Sequence, residues 1–354
     1  MKSNYRYIVK AFMAMAVIAG TTSCDDFLDR EPMSSISPET YYSTAAQLEA
    51  NLNDEYPNVL PSFGQWTYGI FGEDKGTDNQ IEVNANDRYT QDRWKVPHSE
   101  SDNWKFERIY RINFFLSEAL PKFGEDMSGS QNTISGSVAT IKHYIGEMYF
   151  LRAYEYFKKL QLFGDFPIID QPLADEMEAL REASKRFPRN EVARFIISDL
   201  DKAYAYMSDV DMATTRINKD AAMLVKSRVA LFEATWLQNF KGTAFVPGGE
   251  GWPGASLHNN YQYPSGNLDN EVKYFLEQAV EASKLVADKY KGNLTENTGV
   301  LQQSADDPSN PYFDMFAQED LSDVKEVLLW RQYAADSLLI TSMPLPDVVI
   351  TVSV

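Results

Sequence analysis

The chain has 354 residues with 33 basic and 51 acidic side chains, a formal net charge of −18. That charge argues against nucleic acid as a partner, because phosphate binding needs clustered Lys and Arg to release counterions. A single cysteine excludes zinc fingers, iron–sulfur clusters and disulfide frameworks, and three histidines leave little room for a His-rich metal site. With 44% hydrophobic and 24% charged residues, the balance is that of a folded protein, as one large domain or two intimate ones.

Residues 1–23 read as a signal peptide. Lys2, Arg6 and Lys10 form a basic start, followed by the apolar run Ala11 to Gly20. That run is too short for a hydrocarbon core of about 30 Å but suits a signal-peptide core. It leads to Thr21-Thr22-Ser23-Cys24, a small residue directly before the only cysteine. This resembles the lipobox of a bacterial lipoprotein, with Cys24 acylated, although Thr21 stands where an aliphatic residue is usual. The plainer reading is secretory cleavage nearby, leaving Cys24 a free thiol. Acyl chains add about 0.8 kcal/mol per buried CH₂, so a multiply acylated Cys24 anchors the chain without a transmembrane helix. No later segment is apolar over enough length to span a bilayer. The expected body is therefore soluble, extracytoplasmic and tethered.

Residues 24–43, acidic and then Ser/Pro-rich, read as the tether, and 44–354 as the domain. Thr44 with Gln47 at N3 is a capping-box pattern that opens a helix. Residues 57–100 lack helical periodicity and form a long irregular segment, the kind usually functional or disordered. From about 101 the helical period dominates. One stripe runs through Ile109, Ile112, Leu116 and Ala119, and another through Ile141, Tyr144, Ile145, Met148 and Leu151. The second stops at Phe163-Gly164-Asp165-Phe166-Pro167, where Gly turns the chain and Pro prevents continuation. A third stripe holds Val192, Phe195, Ile196, Leu200 and Ala203. A fourth, capped by Asn218, holds Ala222, Val225, Val229, Phe232 and Trp236. A fifth holds Val272, Phe275, Ala279 and Val286.

Successive amphipathic helices, some with Ala-x-x-x-aromatic spacing such as Ala153 to Phe157, predict a mostly α fold of tetratricopeptide-like helix pairs. Long linkers at 240–268 and 291–310, rich in Gly, Pro, Asn and Ser, predict an irregular, long-loop binding lobe.

Few motifs carry chemistry. Gly249-Glu250-Gly251-Trp252-Pro253-Gly254 has the letters G-x-G-x-x-G, but no strand precedes it and Pro253 interrupts it. It reads as a flexible loop exposing Trp252. The spacing of Asp74, Asp78 and Asp306-Asp307 fails for calcium. His98, His143 and His258 are scattered, and His143 on its helix reads as packed or at the surface. No catalytic residue, cofactor or metal site is expected. Trp104 and Trp236 fall on helix stripes and are expected in the core, and Trp330 in a short strand or buried segment. Trp66, Trp94 and Trp252 lie in loops, where an exposed indole suits stacking on the apolar face of a sugar ring. Asp78, Asn79, Arg93 and Tyr261 would supply hydroxyl partners. The plainer reading is that each Trp plugs its loop onto the helices.

Several places in order resemble the SusD/RagB family of outer-membrane nutrient-binding lipoproteins of Bacteroidetes. They are Ser23-Cys24-Asp25-Asp26-Phe27-Leu28-Asp29 with Pro32, and Trp104 with Tyr110-Arg111-Ile112-Asn113, where the Asn sits closer to Ile112 than is usual. Next come Gly146-Glu147 with Phe150-Leu151-Arg152-Ala153-Tyr154, running to Phe163–Pro167. Ile197, Asp199-Leu200 and Ala203, then Ala221 to Phe232, complete the series. The resemblance implies four tetratricopeptide-like helix pairs and an irregular lobe that binds oligosaccharide or polysaccharide. It also implies a lipid-anchored outer-membrane location at the cell surface and a SusC-like TonB-dependent transporter as partner, without catalysis. Family members usually run well beyond 354 residues, so the tail Ser342 to Val354 implies a fragment or a broken gene lacking the end of the lobe. Three other readings stay open. One is RagB-like capture of peptides by main-chain hydrogen bonds. The second is a helical glycoside hydrolase, which needs two facing carboxylates about 5–10 Å apart. The third is a helical-repeat adaptor whose loop Trp residues are buried.

Overall fold

The computed structural model describes residues 41–61, 103–124, 126–208, 212–301, 304, 306–332 and 350–351. The backbone divides into the units Met1–Tyr42 and Ser43–Val354. Of the first, only Tyr41 and Tyr42 are described, their rings edge to face at 4.7 Å. The signal peptide, Cys24 and the tether up to residue 40 lie outside the described residues.

In the second unit, α1 (Ala45–Val59) opens on the predicted capping box. The Thr44 hydroxyl accepts from the Gln47 amide, and the Gln47 side chain accepts from the Thr44 amide. Leu48, Leu52 and Val59 fall on its buried face. In α2 (Glu107–Phe123) the stripe Ile109, Ile112, Leu116 and Ala119 is buried as the spacing requires. Trp104 lies ahead of this helix and not on its stripe. It is half-buried in a ring cluster with Phe106, Phe163 and Phe166, at centroid distances of 5.6, 4.9 and 4.8 Å.

α3 (Val138–Phe163) is the longest helix among the described residues, 26 residues and roughly 39 Å. It starts at Ser137, whose hydroxyl accepts from the Thr140 amide, and it ends at Gly164 with φ of 67°. It packs against α1, α2 and α5 (Arg189–Tyr206), so most of its circumference is buried, charged residues included. Gly146 lets α5 come close: a Cβ there would stand 2.8 Å from the Met207 amide nitrogen and 2.9 Å from the Ala203 carbonyl. The short α4 (Met177–Ala183) lies between them in sequence.

α5 packs on α6 (Lys219–Asn239), and α6 on α7 (Leu268–Tyr290). Asn218 and Asn267 cap the last two by accepting from the amides of Ala221 and Asn270. This succession of long helices, each laid on the next, is tetratricopeptide-like. Beyond α7 come α8 (Pro311–Phe316) and β1 (Val327–Leu329), which pairs antiparallel with β2 (Ile350–Thr351). Met315, Leu321, Val327 and Trp330 form a small core there. Trp330 is buried, its indole N–H donating to the Thr214 hydroxyl at 2.9 Å. No helix among the described residues is long and apolar enough to cross a membrane.

The fourth stripe departs from expectation at its end. Ala222, Val225 and Val229 are buried, but Phe232 and Trp236 are only half-buried. The last turns of α6 are met by the 240–267 loop and by Arg189, whose guanidinium lies 4.1 Å from the Trp236 ring centroid.

Candidate functional site

Three of the residues that carried the family resemblance, Asn113, Arg152 and Asp199, meet in the core. Arg152 of α3 donates to both Asp199 oxygens of α5 at 2.7 and 2.9 Å, to Asn113 Oδ1 of α2 at 2.9 Å, and to the Asp170 carbonyl at 3.0 Å. Asn113 in turn donates to the Ile169 carbonyl at 2.9 Å. Three stretches of sequence far apart thus close one buried network. Burial opposes the Arg152 charge, but Asp199 outweighs it and holds the guanidinium pKa above its ordinary value. Glu147, also buried, accepts from Arg216 at 2.9 and 2.6 Å and from the Tyr56 hydroxyl at 2.8 Å. His143 is packed, its Nε2 lying 3.0 Å from the Ile217 carbonyl.

The 240–267 loop is tied to the helices by a second set. Trp252 is only 5% exposed, in contrast to the expected exposed ring. Its indole N–H donates to Asp165 Oδ2 at 2.7 Å, and Asp165 Oδ1 accepts from the Arg189 amide at 2.9 Å. The Phe163–Pro167 stop is therefore also the anchor of the loop. Gly254 is required under the indole, since a Cβ there would fall 2.2 Å from Trp252 Cζ2. The G-x-G-x-x-G letters thus serve packing of the Trp, not its display. Tyr261 is half-buried, its ring 5.6 Å from Trp252 and its hydroxyl exchanging hydrogen bonds with Asn190 at 2.9 and 3.1 Å. Burial pushes the Tyr261 hydroxyl pKa well above its usual value. Asn190 also donates to Glu271, which accepts from Arg194 at 2.7 and 2.8 Å. Arg189 clasps the buried Glu233 at 2.9–3.1 Å.

Of the residues expected to bind ligand, the structure brings Trp252 and Tyr261 together and uses both to hold the loop. Trp66, Asp78, Asn79, Arg93 and Trp94 lie outside the described residues. Among the described residues, no group of three or more His, Cys, Asp or Glu could hold a metal ion.

Among the described residues, clefts open on the helical unit. One, about 390 Å³, lies between the end of α1 and the segment after β1, lined by Tyr56, Pro57, Leu60, Trp330, Arg331 and Gln332. Another, about 350 Å³, lies along α5 and is closed by Tyr274 of α7 and Met127. Sequence reasoning missed both. Ile197 and Trp330 were singled out for the family resemblance and for burial, not for a cleft, and for the α5 cleft the available signal was the polar stripe Arg194, Ser198, Asp201 and Lys202 at helical spacing.

Residues 26–231, more than half of the chain, match the SusD-like family model described as starch-binding and associating with the outer membrane. The chain belongs to the SusD-like family. SusD-like protein P2 of Formosa agariphila is 25% identical over 253 residues, covering 68% of this chain and 46% of that protein. SusD-like protein P25 of the same organism is also 25% identical, over 60% of this chain and 41% of its own length. The matches thus span less than half the length of these curated relatives. The fold agrees with that of a SusD-like protein from Bacteroides fragilis, at a TM-score of 0.53, 18% identity, 86% of this chain and 48% of that one. A SusD-like carbohydrate binding protein from the same species gives a TM-score of 0.50 at 16% identity, over 85% of this chain and 48% of that one.

Proposed function

We propose that this protein is a cell-surface glycan-binding lipoprotein that delivers oligosaccharide to a SusC-like TonB-dependent transporter. The observation that carries the proposal is the family match across residues 26–231, whose model is described by starch binding and outer-membrane association. The lone Cys24 behind a basic and apolar leader supports lipid anchoring. Helices laid one on another leave long loops free to carry binding residues. With Trp252 and Tyr261 engaged in packing, the ligand contacts are assigned to Trp66, Asp78, Asn79, Arg93 and Trp94. Rings there would stack on sugar faces while the polar groups take the hydroxyls. The role is capture, without catalysis or cofactor.

Calorimetric titration of the full chain with a panel of polysaccharides and of extended peptides tests the reading. Binding to at least one glycan, weakened about ten- to hundredfold by Trp94→Ala, is expected for the loss of one stacking ring. Binding to peptides alone would replace glycan capture by peptide capture. For the anchor, wild type should incorporate palmitate and fractionate with membranes, and Cys24→Ala should do neither.

A further inference from the structure

We infer that the open cleft along α5 is a second saccharide subsite, one that takes a neutral, hydroxyl-rich ring on the helical scaffold. The inference rests on the glycan-binding reading above and extends it to a second place on the helical scaffold.

The cleft is built from one stripe of α5. Arg194, Ile197, Ser198, Asp201, Lys202 and Ala205 recur at the three- and four-residue steps that bring side chains to one helical face. Exposed Ala205 and half-buried Met127, over buried Ile197, supply apolar surface, and half-buried Tyr274 supplies an aromatic wall. That wall is held in place. The Arg194 guanidinium lies 3.7 Å from the Tyr274 ring centroid, and Glu271 fixes Arg194 through two hydrogen bonds. A rigid wall lowers the ordering cost of a weak ligand.

The electrostatics select among ligands. Every charged group on the stripe already has a partner within the protein. Arg194 pairs with Glu271, Asp201 with Lys226 at 2.7 Å, and Lys202 with Asp199 at 3.6 Å. An ionic ligand would have to compete with these pairs. A polyol would not, because an ammonium has three donors and a carboxylate about four lone-pair positions, more than one ion pair uses. The Ser198 hydroxyl, on an exposed residue, adds a donor and an acceptor. Apolar floor, aromatic wall and unsaturated hydrogen-bonding groups of both kinds match a sugar ring, which has apolar C–H faces and an equatorial belt of hydroxyls. At about 350 Å³ the cleft sits near the lower end of small-molecule sites, and it is open along α5, as a subsite for part of a longer chain requires. Two subsites on one protein raise retention of a long polysaccharide through effective concentration, without a new contact at either.

The test compares the full chain with Ser198→Trp, which fills the cleft, and Lys202→Ala, which removes a donor. Soluble starch, a β-1,3-glucan and a mannan are the neutral probes, and polygalacturonate is the anionic one, in affinity electrophoresis and calorimetry. For a neutral polysaccharide that the wild type binds, affinity should fall roughly tenfold in Ser198→Trp and less in Lys202→Ala. Hydrogen exchange at residues 194–205 should slow in the wild type with glycan and stay unchanged in Ser198→Trp. Should Ser198→Trp lower the melting temperature, Lys202→Ala, whose side chain is 45% exposed, carries the comparison. Wild-type affinity and protection in both variants would overturn the subsite and leave the family role standing. A wild type that binds none of the glycans would overturn both, and a preference for polygalacturonate would overturn the neutral assignment.

Discussion

The α2–α3–α5 core and the 240–267 loop are held by similar chemical groups, set on helices in the first and between a loop and helix ends in the second. In the core, a guanidinium, a carboxylate and an amide from three helices meet with almost no exposure. In the loop, one indole and the half-buried Tyr261 pin a Gly/Pro-rich segment to helix ends, through half-buried Asp165 and buried Asn190. The core contacts are made by residues whose direction the helical period sets. The loop contacts depend on partners, such as Asp165 for Trp252, that nothing local in the sequence announces. A helix therefore positions its own buried charges, whereas a loop takes its position from whichever groups it reaches.

The sharpest way to break this contrast is at Arg152. Truncating it leaves Asp199 and Asn113 buried without their donor, and a buried pair broken on one side costs about 3–5 kcal/mol. Arg152→Ala should therefore show that loss in urea denaturation. Replacing both partners together, as Arg152→Met with Asp199→Leu, should lose much less, because no buried charge is left behind. A small effect for the single variant would mean that water reaches the network, and the core would then be no more rigid than the loop.

The two tryptophans sharpen the comparison at its boundary. Trp252→Ala should cost about 3–5 kcal/mol, the range for a fully packed aromatic. Trp236→Ala, on a helix but half-buried, should cost about 1–2 kcal/mol, the share of area it hides plus its contact with Arg189. Trp252→Phe should lose about 1–3 kcal/mol by stranding Asp165 without the indole donor. Denaturation of the three variants checks the order. A larger loss at Trp236 than at Trp252 would show that the loop does not bury its ring.

These residues also mark where sequence reading succeeds and stops. Helix stripes were legible because apolar residues at three- and four-residue steps have one way to be buried. Ile109, Ile112, Leu116, Ile141, Ile145 and Met148 all lie in the core. Caps were legible for the same local reason, as Thr44 and Asn218 show. Trp236 was misplaced because the period gives a direction but not how far along the helix a neighbour extends. Trp252 was misplaced because Gly and Pro around it signal a loop and say nothing about the Asp165 that captures it. Of the expected ligand residues, only Trp252 and Tyr261 fall in described parts of the chain, and both pack the loop. The α5 cleft was not legible, since a polar helical face also describes ordinary surface.

The smallest expected effect separates two carboxylates that hold the same loop. Burial alone would raise Glu271, but hydrogen bonds from Arg194, Asn190 and Ser265 outweigh it and leave its pKa lowered from 4.5. Burial also raises Asp165, and there the donors, the Trp252 indole and the Arg189 amide, do not outweigh it, so its pKa stands above 3.8. The consequences for stability have opposite signs. Glu271 contributes stability fully above its unfolded value near 4.5, and that contribution is lost as pH falls through the lower folded value. Asp165 binds its proton more readily when folded, so it favours the native state in acid and loses that as pH rises from 3.8 through the folded value. Melting temperatures between about pH 5 and pH 3 should fall less steeply for Glu271→Gln than for wild type, and more steeply for Asp165→Asn. Parallel profiles for all three proteins would mean that the two anchors titrate alike, so that the guanidinium on Glu271 does not set it apart from a carboxylate held by neutral donors.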